Sequence, residues 1–245
     1  MKLLLPRILC AASDFKMNCS SKKYSCSDKL PESFTITCHA GSFRTRANSV
    51  YSVRAAVEWG ADIVEFDVSF RPDGTPVIIH NPSPSMDEGV LLEKALDEVA
   101  KSDRCKINLD IKSTANLPAV DKLVCLKGLE KRVFYTGVFE DWVDTVRKNS
   151  SIPYYVNYNP SEEEGADPEY IKGIVNKAIE LGAMGINSNF RGVSQQMVDA
   201  AHKNGLLVSL WTANSIPDML TALALCPDNI TTKKPNVLKN LVACG

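Results

Sequence analysis

The sequence predicts an α/β fold, a single (β/α)8 TIM barrel. Short β-branched runs alternate with amphipathic stretches from Phe34 to the end of the chain. Eight such pairs fit into about 210 residues, which suits a closed parallel barrel with right-handed crossovers better than an open sheet. No Gly-x-Gly-x-x-Gly follows the first strand, which argues against a doubly wound dinucleotide-binding sheet.

The eight predicted strands are Phe34–Cys38, Ile63–Phe70, Lys106–Ile111, Val133–Thr136, Pro153–Asn157, Met184–Asn187, Leu206–Trp211 and Asn229–Thr231. A ninth run, Pro76–His80, follows the turn Pro72-Asp73-Gly74 and reads as the second strand folded back. Helices are expected between the strands. Asn48 is the predicted cap of Ser49–Trp59, and Gly60 stops it. Further helices are predicted at Leu91–Lys101, Ala119–Lys131, Glu140–Asn149, Pro168–Leu181, Ser194–Asn204 and Pro217–Leu225. Gly182 and Gly205 stand at two expected C-termini, and Val237–Ala243 closes the chain. Residues 1–33 show no clear period and read as an N-terminal extension packed on the barrel. Residues 34–245 form the barrel domain.

Composition narrows the function classes. The 245 residues carry 44% hydrophobic and 23% charged side chains with a net charge of −1. Such a chain buries a sizeable core unaided. It has no global basic field for nucleic acid, so an anionic ligand must be held by a local site. No apolar run approaches the ~20 residues of a membrane span. Met-Lys-Leu-Leu-Leu-Pro-Arg at the start is a poor secretion signal, because Arg7 interrupts it and no clear small-residue cleavage site follows. The eight cysteines are irregularly spaced, without Cys-x-x-Cys. A cytoplasmic protein is expected, with a secreted one as the lesser alternative.

Barrel enzymes carry their chemistry at the C-terminal ends of the strands. The first strand ends there in His39-Ala40-Gly41, and the folded-back run ends in His80-Asn81. The chain has three histidines, so two of them fall on the expected rim. The third, His202, reads as a surface histidine near a helix C-terminus. Glu65 and Asp67 are two apart on one strand and share a face. Both faces of a barrel strand are expected to be apolar, where two bare carboxylates are costly. A salt-bridged pair is the plain explanation. Asp110, at similar height on the next strand, points instead to a cation. Three carboxylates suit a hard ion, Mg2+ or Ca2+, better than zinc. Lys112 shares the face of Asp110. It either neutralises the acids or binds an anionic substrate such as phosphate. A metal, a lysine and two histidines together describe phosphodiester cleavage by acid–base catalysis.

These residues resemble the glycerophosphodiester phosphodiesterase family. That family shows His-Arg-Gly, Pro-Glu-Asn-Thr, Gly-Ala-Asp-x-x-Glu-x-Asp-Val, Asp-Gly and His-Asp in order. This chain shows His39-Ala40-Gly41, Arg46-Ala47-Asn48-Ser49, Gly60 through Val68, Asp73-Gly74 and His80-Asn81. Asn108–Lys112 is similar to the family's Glu-x-Lys strand, with Asp110 for Glu. Trp211–Asn214 matches Trp-Thr-x-Asn, and Asp228 through Pro235 matches the closing motif. The resemblance implies metal-dependent hydrolysis of glycerophosphodiesters to glycerol 3-phosphate and an alcohol. It implies His39 and His80 as the acid–base pair and Glu65, Asp67 and Asp110 as metal ligands. Lys112 would bind phosphate, and Trp211 would shape the substrate pocket. Ala40 replaces the arginine, Ala47 and Asn81 each replace an acid, and Lys233 replaces the closing Asp.

Ten residues separate His80 from Leu91, too few for the family's usual inserted subdomain, so an open cleft is expected. A lysophospholipase D-type phosphodiesterase is one alternative. A non-catalytic barrel binding a phosphorylated ligand is another. A Schiff-base enzyme using Lys112 has only the barrel in its favour, and a barrel implies no chemistry.

Overall fold

The computed structural model describes residues 30–244. The expected N-terminal extension falls mostly on residues 1–29, outside the described residues, as do Cys10, Cys19 and Cys26. The chain runs β1 (Thr35–Cys38), α1 (Val50–Trp59), β2 (Ile63–Phe70), β3 (Pro76–Ile78), β4 (Val90–Leu91) and α2 (Leu92–Val99). It continues through β5 (Lys106–Ile111), α3 (Leu117–Leu126), β6 (Val133–Val138), α4 (Glu140–Asn149) and β7 (Tyr154–Tyr158). Then come α5 (Glu162–Ala166), α6 (Pro168–Glu180), β8 (Gly185–Asn189), α7 (Gln195–Lys203), β9 (Leu207–Trp211), α8 (Ile216–Ala224), β10 (Asn229–Thr232) and α9 (Pro235–Cys244).

β1, β2 and β5 through β10 are parallel neighbours. Closure is direct, because β1 pairs with β10 on one side, Thr35 opposite Asn229, and with β2 on the other, Thr37 opposite Ile63. The predicted (β/α)8 barrel is therefore the observed fold. β3 folds back antiparallel on β2, and β4 on β3, so the hairpin continues by one short strand that the sequence reading missed.

Several boundaries differ for local reasons. Ser49, not Asn48, caps α1: its hydroxyl accepts from the Ser52 N–H at 3.1 Å. α3 begins at Leu117, since Pro118 is tolerated in a first turn. It stops by Gly128, whose φ of 65° takes the chain out of the helix. The predicted Ala119–Lys131 thus divides into α3 and a 3-10 turn at Glu130–Arg132. α5 was not predicted. It is one turn nucleated by a capping box between Ser161 and Glu164.

The core has two parts. Between barrel and helices, the outward residues of β2 and β5, such as Val64, Phe66, Ile107 and Leu109, pack against the helices. Inside the barrel, Ile63, Phe134 and Tyr155 plug the N-terminal end with Met184 and Leu207. Above that plug the interior is polar, contrary to the apolar expectation. Thr37 and Ser209 each donate to Asn229 at 3.1 Å. Thr136 donates to Asn108 at 2.7 Å, and Asn187 donates to Asn157 at 3.1 Å. These amides and hydroxyls thereby partner one another within the barrel. Cys38 and Cys105 are buried and form no disulfide.

One buried charge ties helices together outside the barrel. Glu98 of α2 accepts from Arg54 of α1 at 2.9 and 3.1 Å and from Lys101 at 2.7 Å. Those bonds pull its carboxyl from an ordinary 4.5 down to about 2. The ionised form is the stabilising one, so its contribution is complete above pH 4.5 and fades as pH falls towards 2. Urea unfolding at pH 7 should show Glu98→Gln less stable by about 1 kcal/mol. That difference should shrink through the acid range.

Candidate active site

His39, Glu65, Asp67, His80, Asp110, Lys112 and Trp211 all line one cleft of about 490 Å3. It opens at the C-terminal ends of the parallel strands. His39 directly follows β1, Glu65 and Asp67 lie on β2, Asp110 on β5, and Trp211 ends β9. Asp67 stands opposite Asp110 in the β2–β5 register, and Glu65 opposite Asn108. His80 arrives from the exposed loop after β3. His202 lies elsewhere, where its Nε2 meets Asp228 at 2.8 Å.

The three carboxylates each offer an oxygen within 4.8 Å of the others. Glu65 is 4% exposed, and its Oε2 accepts from the Ala40 N–H at 2.8 Å. Burial, then Asp67 and Asp110, push its carboxyl well above the usual range. Burial also raises Asp110, with Lys112 opposing. The Lys112 ammonium contacts Asp110 Oδ2 at 2.8 Å and Asp67 Oδ1 at 3.1 Å. Burial alone would lower Lys112, but Asp110 and Asp67 outweigh it and hold the ammonium above its ordinary value. One lysine faces three acids, so the cluster is short of positive charge.

A divalent cation fits this donor set. Asp110 Oδ1 is buried without any hydrogen-bond partner. Oxygen donors from three carboxylates are the chemistry of a hard ion. Backbone geometry keeps space at that oxygen. Gly137 has φ 73°, and a Cβ there would lie 2.3 Å from Asp110 Oδ1. The β6–β7 register shifts at this point, and the Gly137 N–H leaves the ladder to donate to Asn157 Oδ1 at 3.0 Å. Bulges beside active sites commonly re-aim local groups in this way.

His39 is held by its own loop. Its Nδ1 lies 2.8 Å from the Ala40 carbonyl and 3.8 Å from Glu65 Oε2. Donation to that carbonyl puts the proton on Nδ1 and leaves Nε2 with its lone pair. Burial lowers the His39 pKa from 6.5, against the Ala40 hydrogen bond, and the nearby Lys233 charge acts in the same sense as burial. Burial therefore favours the neutral ring.

The departures from the family pattern have visible places. Ala40 is 3% exposed, and its backbone N–H serves Glu65. Arg44 and Arg46 are exposed and do not line the cleft. Asn81 turns to its own loop, accepting from the Ser83 N–H at 3.1 Å. The sequence reading missed the cleft's neutral floor, Asn108, Thr136, Asn157 and Thr231. The signal was present as polar residues at alternate positions in otherwise apolar strands. It also missed Gly137 and the aromatic wall of Phe139 and Trp142, whose rings sit edge-on at 6.4 Å.

Fold and site together define a (β/α)8 barrel with an acidic triad and paired histidines at its mouth. The Glycerophosphoryl diester phosphodiesterase family model matches residues 39–108, which hold His39, Glu65, Asp67 and His80. A glycerophosphodiester phosphodiesterase from Caldanaerobacter subterraneus subsp. tengcongensis is 24% identical over 239 residues, covering 86% of this chain and 98% of that one. The chain is thus similar to glycerophosphoryl diester phosphodiesterases, through the family model over residues 39–108 and through a relative of nearly its own length. Solved structures share the fold. A phosphodiesterase from Oleispira antarctica, in complex with the product sn-glycerol-3-phosphate, superposes with a TM-score of 0.69 at 16% identity, over 89% of this chain and 99% of that one. Glycerophosphodiester phosphodiesterase from Thermotoga maritima gives 0.64 at 19% identity, over 85% and 98%.

Gly137→Ala should be severely disruptive. The new Cβ meets Asp110 Oδ1 and, at 2.5 Å, the Ile111 carbonyl, at a φ that L residues rarely adopt. A loss of at least about 2 kcal/mol is expected in chemical denaturation.

Proposed function

We propose that this protein hydrolyses glycerophosphodiesters to glycerol 3-phosphate and an alcohol, using Mg2+ or Ca2+ held by Glu65, Asp67 and Asp110. The observation that carries this reading is the unpartnered Asp110 Oδ1, in a buried acid cluster that shares one cleft with two histidines and a lysine. The Oleispira relative's bound product supports the substrate class.

The reaction exchanges one P–O bond for another. Water attacks phosphorus, the bond to the alcohol oxygen breaks, and the proton balance needs one base and one acid. His39 Nε2 takes the proton from water, since its Nδ1 is committed to the Ala40 carbonyl. His80, on the open side of the cleft, returns a proton to the leaving alkoxide. The cation, when bound, stabilises charge on the phosphoryl oxygens. Lys112 adds its ammonium beside that charge. The Trp211 indole N–H is buried without a protein acceptor, so it is available to a substrate oxygen. The neutral floor of Asn and Thr side chains suits the glycerol hydroxyls.

No helix among the described residues is long and apolar enough to cross a membrane. The substrate is read as a small phosphodiester reached from water. The buried thiols Cys38 and Cys105 fit a reducing, cytoplasmic setting.

The direct test is glycerol 3-phosphate release from glycerophosphocholine or glycerophosphoethanolamine, with each cation and with EDTA. Release should need the cation, and His39→Ala or His80→Ala should each lower kcat by roughly 10²–10⁴. No release under any cation from folded protein would sink the reading. Because the His39 pKa is lowered, the base stays deprotonated into mild acid. The acidic limb of kcat/KM should therefore lie below pH 6.5.

A further inference from the structure

We propose that Asn48 is a positioning residue that fixes Asp67 for the divalent cation. The inference rests on the metal reading of the triad given above.

β1 ends at Cys38, where it pairs with Val64, and β3 joins the same edge of β2 only at Val68, so a short gap between the two strands is left at Glu65–Asp67. Asp67 sits in that gap, its carbonyl accepting from the Ile79 N–H at 3.1 Å and its own N–H reached by neither strand. Asn48 occupies the gap. The Asp67 N–H donates to Asn48 Oδ1 at 3.0 Å, and Asn48 Nδ2 donates to Asp67 Oδ2 at 2.6 Å. Both ends of one carboxamide are thus spent on one residue. The first bond replaces a missing ladder bond. The second locks the carboxylate rotation.

The consequence for the site is specific. With Oδ2 held by Asn48, Oδ1 is the oxygen on the side of Lys112, which lies 3.1 Å away, and hence towards Asp110. Asn48 has a left-handed φ of 52°, a conformation Asn tolerates better than most residues. Its side chain leaves the capping of α1 to Ser49. A neutral amide also matters, since a fourth carboxylate would crowd the acid cluster.

Partners that orient a ligand commonly govern metal affinity by 10–100-fold. Asn48→Gly removes the carboxamide and still allows the left-handed backbone. Calorimetric titration of the wild type and N48G with Ca2+ and Mg2+, beside melting curves in EDTA, tests the idea. We expect N48G to raise the cation's Kd by about 10–100-fold. Its kcat at saturating cation should approach that of the wild type. Equal cation affinity in the two proteins would overturn the proposal and leave the metal site standing, even if N48G melts earlier. A wild type that binds neither cation would overturn the metal reading and this inference with it. If N48G does not fold, N48S carries the same comparison, since its hydroxyl is too short to span both partners.

Discussion

Crowding of three carboxylates at the mouth of a closed barrel is the constraint on which the rest of the structure depends. Like charges inside 4.8 Å repel, and burial removes the water that would screen them. The protein answers with the Ala40 N–H on Glu65, the Asn48 carboxamide on Asp67 and Lys112 on Asp67 and Asp110. Asp110 Oδ1 is left buried without a protein donor. The hydrogen bonds hold the acids in place without supplying full charge balance. That residual demand for positive charge is what a hard cation would meet.

The interior of the barrel is arranged around this demand. An apolar plug of Ile63, Phe134 and Tyr155 closes the N-terminal end. The next level is built from neutral amides and hydroxyls that satisfy one another. These groups present dipoles beneath the carboxylates rather than a low-dielectric floor, which lowers the penalty for ionisation above them. Gly137 belongs to the same arrangement. Its bulge breaks the β6–β7 register and aims an N–H at Asn157, and its missing Cβ leaves Asp110 its space.

Departures from the family pattern range from Asp110 in the triad and Ala40 against Glu65 to Asn81 on the rim loop. The acid triad, both histidines and Lys112 are in place. The alanine at position 40 is buried and contributes its backbone, while Asn81 folds into its own loop. The strand extension β3–β4 leads straight to α2 without an inserted subdomain, so His80 sits on an open rim.

Much of this was legible in the sequence. Alternation of apolar runs gave the eight βα units, because a parallel barrel buries one face of each helix and both faces of each strand. The period of two placed Glu65 with Asp67, and Asp110 with Lys112, on shared faces. The rim histidines followed from strand ends. Other features depended on contacts between residues far apart in the chain. Asn48 read as a helix cap, since its partner Asp67 lies 19 residues away and is reached only after β1 proves too short to cover β2. Gly137 fell just past the predicted strand Val133–Thr136 and carried no signal until the neighbouring strand brought Asp110 against it. The sequence by itself determined the barrel and which residues meet at its mouth, because side-chain periodicity is a local property of the backbone. Tertiary structure alone decided which oxygen of each acid is free and which is held. That depends on hydrogen bonds between segments whose relative placement no local pattern encodes.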